Sequence, residues 1–75
     1  MDTMITKDFF KNRLKELRKQ SGQTQAQVGI ATGIGERNYQ RFEAGENFPN
    51  VENLCALADY FEVSLDYLMG RTYRR

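Results

Sequence analysis

Glycines and helix-capping residues divide this chain into five short segments, and this division constrains the fold more than any other feature. Gly22, Gly33, Gly45 and Gly70 each follow a segment whose apolar residues recur at helical spacing. Helices shorter than about 12–15 residues are marginal in water unless other parts of the protein pack against them. The sequence therefore predicts a compact all-α fold of five helices that stabilise one another, without β-strands.

The residues that precede these segments predict where each helix begins. Thr6 is the predicted N-cap of the first helix and Thr24 that of the second, where Gln27 completes a capping box. Asn50 and Ser64 are the N-caps predicted for the fourth and fifth helices. The apolar residues at helical spacing should then face the core: Phe10, Leu14, Leu17, Val28, Tyr39, Phe42, Val51, Leu54, Cys55, Leu57, Ala58 and Phe61.

A chain of 75 residues suits one small domain, 1–75, with a core of about 7–70. We expect the ends, 1–5 and 71–75, to be mobile, because chain ends are poorly ordered unless they are packed. No apolar run approaches the ~20 residues that span a membrane, so no membrane partner is expected.

The composition removes several kinds of chemistry. Cys55 is the only cysteine, which excludes an intramolecular disulfide, and the chain has no histidine for a conventional zinc site. We expect a reducing cytoplasm, no metal and no cofactor. Because no histidine is present and no two carboxylates suggest an acid–base pair, the sequence also argues against an enzyme.

Charge is unevenly distributed along the chain, although the formal net charge is only +1. Residues 7–19 contain six basic and two acidic residues, and residues 51–70 contain four acidic residues and no basic residue. Three arginines then lie within 71–75. Such asymmetry is typical of a face that meets a polyanion, but a solvated helix surface gives the same pattern.

The third helix has a polar side that suits binding. A rotation of about 100° per residue puts Tyr39 and Phe42 on one side, with Glu43, an unusual inward carboxylate, beside them. An arginine fork matches guanine or phosphate, although any exposed helix face is polar. The side chains opposite the aromatic pair are Arg37, Gln40, Arg41 and Ala44, with Glu36 at their edge.

Two stretches of the sequence carry a family resemblance. The segments "RLKELRKQSGQTQAQV", 13–28, and "GIGERNYQRFEAGENFPNVENLCALADYFEVSLDYLMG", 33–70, contain the landmarks "LR", "TQ", "GIG", "EAG" and Pro49 in order. Over about 9–70 the chain resembles the Cro/phage-repressor (Xre) type of helix-turn-helix protein. The resemblance implies a five-helix lambda-repressor-like DNA-binding domain, in which helices two and three form the helix-turn-helix and 35–44 is the recognition helix.

The resemblance also implies which residues contact DNA. Arg18 and Glu43 match a pair that ties the first helix to the recognition helix, which would account for the inward carboxylate. The implied base-reading residues are Gly35, Glu36, Arg37, Gln40 and Arg41. Thr24 and Gln25 match the phosphate-binding start of helix two in the family. We also expect phosphate contacts from Asn38, Lys11 and Lys15.

Several positions depart from the family pattern, among them Gly29, Gly35, Gln23 and Ile30. Gly29 replaces the usual alanine, which preserves a close contact between helices but weakens its own helix by about 1 kcal/mol. Gly35 replaces a common serine or threonine cap, so the recognition helix should begin less firmly. Ile30 replaces a residue that is usually polar, and it should be an exposed apolar side chain.

The resemblance implies a sequence-specific transcriptional regulator, most simply a repressor that binds double-stranded DNA at a palindromic operator as a homodimer. A protein-interaction module of the same fold, such as an antitoxin or an accessory factor with a protein partner, is the alternative. The candidate surface for self-association is the C-terminal segment, although core packing of the last helix would use the same residues: Tyr67, Leu68, Met69 and Tyr73.

Overall fold

The computed structural model describes residues 3–75, with side chains from residue 8 onward, and it consists of five helices. Their bounds are α1 Thr3–Gln20, α2 Gln25–Ala31, α3 Glu36–Ala44, α4 Val51–Phe61 and α5 Leu65–Leu68. No strand occurs within the described residues. The predicted all-α fold of five helices is confirmed.

The start of α1 differs from the prediction. The helix begins at Thr3, so Thr6 lies inside it and the prediction of an N-cap at Thr6 is wrong. No glycine or proline between these residues interrupts the helix, and a threonine caps a helix only where the backbone before it turns away. Residues 1–5 were predicted to be mobile. Residues 1 and 2 lie outside the described residues, and residues 3–5 belong to α1.

The other three predicted N-caps are confirmed. The Thr24 hydroxyl accepts a hydrogen bond from the backbone N–H of Gln27 at 3.1 Å, and the Gln27 side chain accepts one from the Thr24 N–H at 2.8 Å. The side chains of Asn50 and Ser64 accept bonds from backbone N–H groups three residues further on. These bonds satisfy N–H groups that have no partner within their own helix.

The core lies where α1, α2, α3, α4 and α5 meet. Its most deeply buried side chains are Phe10, Leu14, Leu17, Val28, Tyr39, Leu57 and Leu68. Two predictions need correction. Val51 is 73% exposed, because the first residue of α4 lies beyond the packed part of that helix, and Leu68 is fully buried, so it contributes to the core and not to a surface for self-association.

Arg13 attaches α5 to α1. Its guanidinium carbon lies 4.6 Å from the centre of the Phe9 ring and 3.7 Å from that of the Tyr67 ring, and Nη1 donates to the Tyr67 carbonyl at 2.8 Å. A β-carbon on Gly70 would lie 2.4 Å from the Phe9 ring, so the absence of a side chain there permits this arrangement. Stacking on aromatic faces lets a charged group lie in a buried position.

A second arginine connects α1 to α3, and the structure brings Arg18 and Glu43 together. Arg18 donates from Nε and Nη2 to the two carboxylate oxygens of Glu43, at 2.7 and 3.0 Å. Its Nη1 donates to the carbonyl oxygen of Gln23, and Gln25 Nε2 donates to Glu43 Oε1 at 3.0 Å. Because Glu43 is only 3% exposed, this network fixes α3 relative to both α1 and the start of α2.

The network determines the ionisation of its members. Burial raises the pKa of the Glu43 carboxyl, but the hydrogen bonds from Arg18 and Gln25 outweigh it, so the pKa lies below its ordinary 4.5. The bond to Glu43 also raises the pKa of the Arg18 guanidinium. Burial beside this pair raises the pKa of the Tyr39 hydroxyl, which makes no hydrogen bond with a described residue.

Gly29 sets the distance between α2 and α3. A β-carbon at this position would lie 2.8 Å from the carbonyl carbon and oxygen of Gly35 and 2.8 Å from Cα of Glu36. The backbone N–H of Gly35 donates to the Gly29 carbonyl at 2.8 Å. All of the atoms that would clash belong to the backbone, so no side chain can move aside to relieve the contact.

Gly29→Ala should destabilise the protein, although alanine is the better helix former. Overlap of the new methyl group with the backbone typically costs about 1–3 kcal/mol, and here no side chain can move aside. We expect this cost to exceed the ~1 kcal/mol that alanine gains in helix propensity, so the net unfolding free energy should fall. Urea denaturation measures the difference. Ala31→Gly, at an exposed position in the same helix, reports the propensity effect alone; a stabilised Gly29→Ala variant would mean that the two helices separate without penalty.

Arg18→Ala and Glu43→Ala should each lower the unfolding free energy by more than the ~1 kcal/mol of an exposed ion pair, because each leaves an uncompensated charge in a buried position. The double variant should lose less than the sum of the two single losses. Urea melts of the wild type and the three variants test this. Strictly additive losses would mean that the two side chains do not interact.

Stability should also depend on pH through Glu43. A carboxyl with a lowered pKa in the folded state stabilises the protein above the pKa of the unfolded chain, ordinarily 4.5, and this contribution is lost as the pH falls through the folded-state value. The gap in unfolding free energy between wild type and Glu43→Gln should therefore be constant near neutral pH and narrow below pH 4.5. Urea melts over a pH series measure it, and a gap that does not narrow in acid would contradict the prediction.

Candidate nucleic-acid interface

Helices α2 and α3 are joined by the short turn 32–35. The Thr32 hydroxyl donates to the Val28 carbonyl at 2.8 Å, which closes the end of α2. Ile34 is buried and anchors the turn to the core, while Gly33 and Gly35 have φ angles of 77° and 95°. Two short helices connected by such a turn have the arrangement of a helix-turn-helix.

The backbone conformation at Gly35 explains why α3 begins without a side-chain cap. Its φ of 95° and ψ of 147° are a conformation that L side chains rarely adopt, and no side chain caps the helix there. A serine or threonine at this position would be strained. The glycine is therefore required by the turn, and the weaker cap is its consequence.

The two sides of α3 differ completely in exposure. Tyr39, Phe42 and Glu43 are buried against the rest of the protein. The exposed side chains of the helix are Glu36, Arg37, Asn38, Gln40, Arg41 and Ala44. The structure thus brings four of the predicted base-reading side chains, Glu36, Arg37, Gln40 and Arg41, onto one outward surface, with Gly35 at its beginning.

The outward surface contains two kinds of hydrogen-bonding group. Arg37 and Arg41 lie one turn apart, and neither takes part in the ion pairs found among the described residues. Gln40 Nε2 donates to Glu36 Oε2 at 3.1 Å, which joins these two exposed side chains across the neighbouring turn. The surface therefore presents two guanidinium groups beside one carboxylate–amide pair.

Two of the predicted phosphate-binding residues lie at the beginning of α2. The exposed Thr24 uses its hydroxyl oxygen for the helix cap, and its hydroxyl hydrogen remains able to donate to an acceptor. Gln25 uses one N–H of its amide to bind Glu43, so its other N–H remains. The bond from Gln25 to Glu43 was not predicted from the sequence. The inward carboxylate of Glu43 could have indicated it, because a buried carboxylate needs more than one hydrogen-bond donor.

Lys11 and Lys15 form a basic flank along α1. A β-carbon on Gly45 would lie 3.0 Å from Cδ of Lys11 and 3.5 Å from its Nζ, so Lys11 lies beside the C-terminal end of α3. At about 100° per residue, Lys15 lies about 40° around α1 from Lys11 and one turn further along, so the two lysines share one edge of the helix. Asn38, the fifth predicted phosphate-binding residue, is exposed on α3 itself.

The surface is nearly balanced in charge. Glu36 lies in the first turn of α3, where the amide groups of the helix N-terminus favour a negative charge, and the exposed Glu46 lies just beyond the C-terminal end. These carboxylates offset much of the charge of Arg37 and Arg41. The outward surface therefore carries little net charge.

Other kinds of site lack support within the described residues. No three metal-ligating side chains of His, Cys, Asp or Glu lie together there. None of the described helices has the length and apolar character needed to cross a membrane.

Comparison with known proteins agrees with this geometry. A family model described as a helix-turn-helix domain matches residues 12–68. The chain is 44% identical over 61 residues to the cryptic phage CTXphi transcriptional repressor RstR of Vibrio cholerae, a match that covers 81% of this chain and 54% of that protein. No solved structure matches the chain significantly.

Two regulators of Bacillus subtilis are also similar. The HTH-type transcriptional regulator ImmR is 36% identical over 59 residues, which are 79% of this chain and 46% of ImmR. The HTH-type transcriptional regulator AnsR is 37% identical over 60 residues, which are 80% of this chain and 52% of AnsR. The chain spans about half the length of these curated relatives. By the match over 12–68, the chain belongs to the helix-turn-helix domain family, of the Cro/phage-repressor (Xre) type.

Proposed function

We propose that this chain binds DNA sequence-specifically and regulates transcription as a repressor. The observation that carries the proposal is the outward side of α3, where Arg37 and Arg41 lie one turn apart beside Glu36 and Gln40. RstR is named a transcriptional repressor, and ImmR and AnsR are named transcriptional regulators. Repression by occupying an operator requires no chemistry by the chain, and such a protein acts on DNA in the cytoplasm.

In this proposal α3 enters the major groove, which is about 12 Å wide and accommodates a helix. Arg37 and Arg41 donate to guanine O6 and N7, and Gln40 faces an adjacent base. Gly35 has no side chain, so the backbone at the beginning of α3 can approach the DNA closely. Glu36, the fifth base-facing position, lies at the same end of the helix.

The phosphate contacts lie on both sides of the groove. Thr24 and Gln25 each retain one hydrogen-bond donor at the start of α2, and the exposed Asn38 offers its amide from α3. Lys11 lies next to the end of α3, and with Lys15 on the same edge of α1 it offers positive charge to the backbone of the other strand. Such contacts fix the position of a protein on the duplex without reading its sequence.

Two copies are needed for useful affinity, because a single module of this size buries a limited area of DNA. We propose a homodimer on a palindromic operator, formed through the C-terminal end of the chain. Tyr73 is 95% exposed and Leu65 is 41% exposed, whereas Leu68 belongs to the core. Tyr67 stacks on Arg13, and Met69 packs partly on the core, so the exposed pair is the revised candidate.

Selection of bound sites from a random pool of double-stranded DNA tests the function itself. A regulator of the proposed kind should enrich a palindromic consensus with two half-sites about one helical turn apart. Enrichment without a consensus would indicate non-specific binding. The absence of any enrichment would favour the alternative, a protein-interaction module with this fold.

Arg37→Ala and Arg41→Ala should each relax the preference at one base pair in each half-site, because an arginine bound to guanine contributes roughly 1–3 kcal/mol of discrimination. Lys11→Ala and Lys15→Ala should instead weaken binding to all sequences alike and reduce the salt slope by about one each. Binding to a panel of single-base operator variants at several salt concentrations separates the two roles. If both arginine variants keep the wild-type ranking of sites, α3 does not read bases.

Tyr73→Ser and Leu65→Ser should weaken self-association, and they should weaken binding to a full palindrome more than binding to a half-site. Both changes remove exposed apolar area, so the fold should remain intact. Sedimentation measures the association, and Ile30→Ser is the matched control, since Ile30 is 74% exposed on α2. If the monomer–dimer equilibrium is unchanged in Tyr73→Ser and Leu65→Ser but changes in Ile30→Ser, the interface lies on α2 and not at the C-terminal end.

A further inference from the structure

The bond between Gln40 and Glu36 bears on how α3 distinguishes the two purines. Gln40 Nε2 donates to Glu36 Oε2 at 3.1 Å, and both side chains are exposed on the outward side of the helix. A glutamine amide has two N–H groups and one carbonyl oxygen. With one N–H bound to Glu36, the other N–H and the carbonyl oxygen remain for a base.

A glutamine without such a partner discriminates poorly between the purines. In one orientation its carbonyl oxygen accepts from adenine N6 and its N–H donates to N7. After a rotation of half a turn about the last side-chain bond, the nitrogen replaces the oxygen and can donate to guanine O6. The two ends of the amide have nearly the same shape, so only their hydrogen-bonding partners decide the orientation.

We propose that Glu36 is a positioning residue that fixes the Gln40 amide in the orientation that binds adenine and rejects guanine. The inference rests on the proposed function, in that it requires α3 to read bases. A carboxylate only accepts hydrogen bonds, so it binds the nitrogen end of the amide and repels the oxygen end. The carbonyl oxygen of Gln40 therefore faces the base.

Two observations support this role for Glu36. Neither ion pair among the described residues involves Glu36, so its carboxylate binds Gln40 and not the adjacent Arg37. A bond between exposed side chains four residues apart also stabilises the helix itself, but this one lies on the surface proposed to meet DNA, so it also sets which atoms of Gln40 face a base. Rotation of the Gln40 amide to suit guanine would bring its oxygen against the carboxylate of Glu36.

The consequence is a base pair at which adenine is preferred and guanine is disfavoured. At this position guanine O6 would oppose the fixed carbonyl oxygen of Gln40, two acceptors without a hydrogen between them. Glu36→Gln removes the constraint, because an amide at position 36 can offer either an oxygen or an N–H to Gln40. The change keeps the size of the side chain.

The experiment compares binding-site selection from a random double-stranded DNA pool by the wild type, Glu36→Gln, Gln40→Ala and the double variant. The base pair whose preference Gln40→Ala abolishes is then tested as adenine and as guanine in otherwise identical duplexes. The wild type should prefer adenine by about tenfold or more, and Glu36→Gln should reduce the ratio to within about threefold at that pair. In the Gln40→Ala background, Glu36→Gln should have no further effect on this ratio.

Glu46→Gln is the matched control. Glu46 is an exposed carboxylate just beyond α3, so its replacement removes the same charge from the same region. Both glutamine variants should bind all sequences somewhat more tightly, because each removes a negative charge near the phosphates. Only Glu36→Gln should change the ratio of adenine to guanine, and thermal melts of each variant report that the fold is unchanged.

Three results would overturn the inference. An unchanged ratio in Glu36→Gln would mean that the bond has no part in reading. A changed preference at a different base pair from the one lost in Gln40→Ala would mean that Glu36 contacts a base itself. A Gln40-dependent pair that prefers guanine would mean that the amide has the opposite orientation. Failure of the proposed function is distinct, because the wild type would then select no consensus.

Discussion

The ion pair between Arg18 and Glu43 is the interaction on which the arrangement of the short helices depends. A carboxylate buried to this degree is costly unless its oxygens are bound, and here Arg18 donates to both oxygens and Gln25 donates to Oε1. Because these donors come from α1 and α2, Glu43 can be buried only when all three helices have their native positions. The network therefore specifies one position for α3, a nine-residue helix that would be unstable alone.

Gly29 and Gly35 meet at one close contact between α2 and α3. A β-carbon on Gly29 would lie only 2.8 Å from the carbonyl group of Gly35. The backbone N–H of Gly35 donates a hydrogen bond to the carbonyl oxygen of Gly29. The turn that makes this contact requires a φ of 95° at Gly35, which excludes the usual capping residues. The absence of a side-chain cap on α3 and the close contact between α2 and α3 thus arise at the same turn.

Features that depend on neighbouring residues were mostly predictable from the sequence, with the cap at Thr6 as an exception. Contacts between distant residues were expected only where the family resemblance indicated them, as for Arg18 and Glu43. The caps at Thr24, Asn50 and Ser64 and the two sides of α3 follow from spacing within one helix. The stacking of Arg13 between Phe9 and Tyr67 joins residues 54 apart, and nothing local marks it. Val51 has the right spacing for the core, but only the extent of packing along α4 reveals that it is exposed.

The near balance of charge on the outward side of α3 explains why a rigid frame matters here. A strongly basic surface would bind any duplex through counterion release, whatever the positions of its side chains. Glu36 and Glu46 reduce that attraction, so in the proposed complex a larger share of the binding free energy would come from hydrogen bonds whose donors and acceptors match the bases. Such bonds tolerate little displacement of the helix. The buried network beneath α3 and the backbone contact at Gly29 limit that displacement, which connects the packing of the core to the selectivity of the surface.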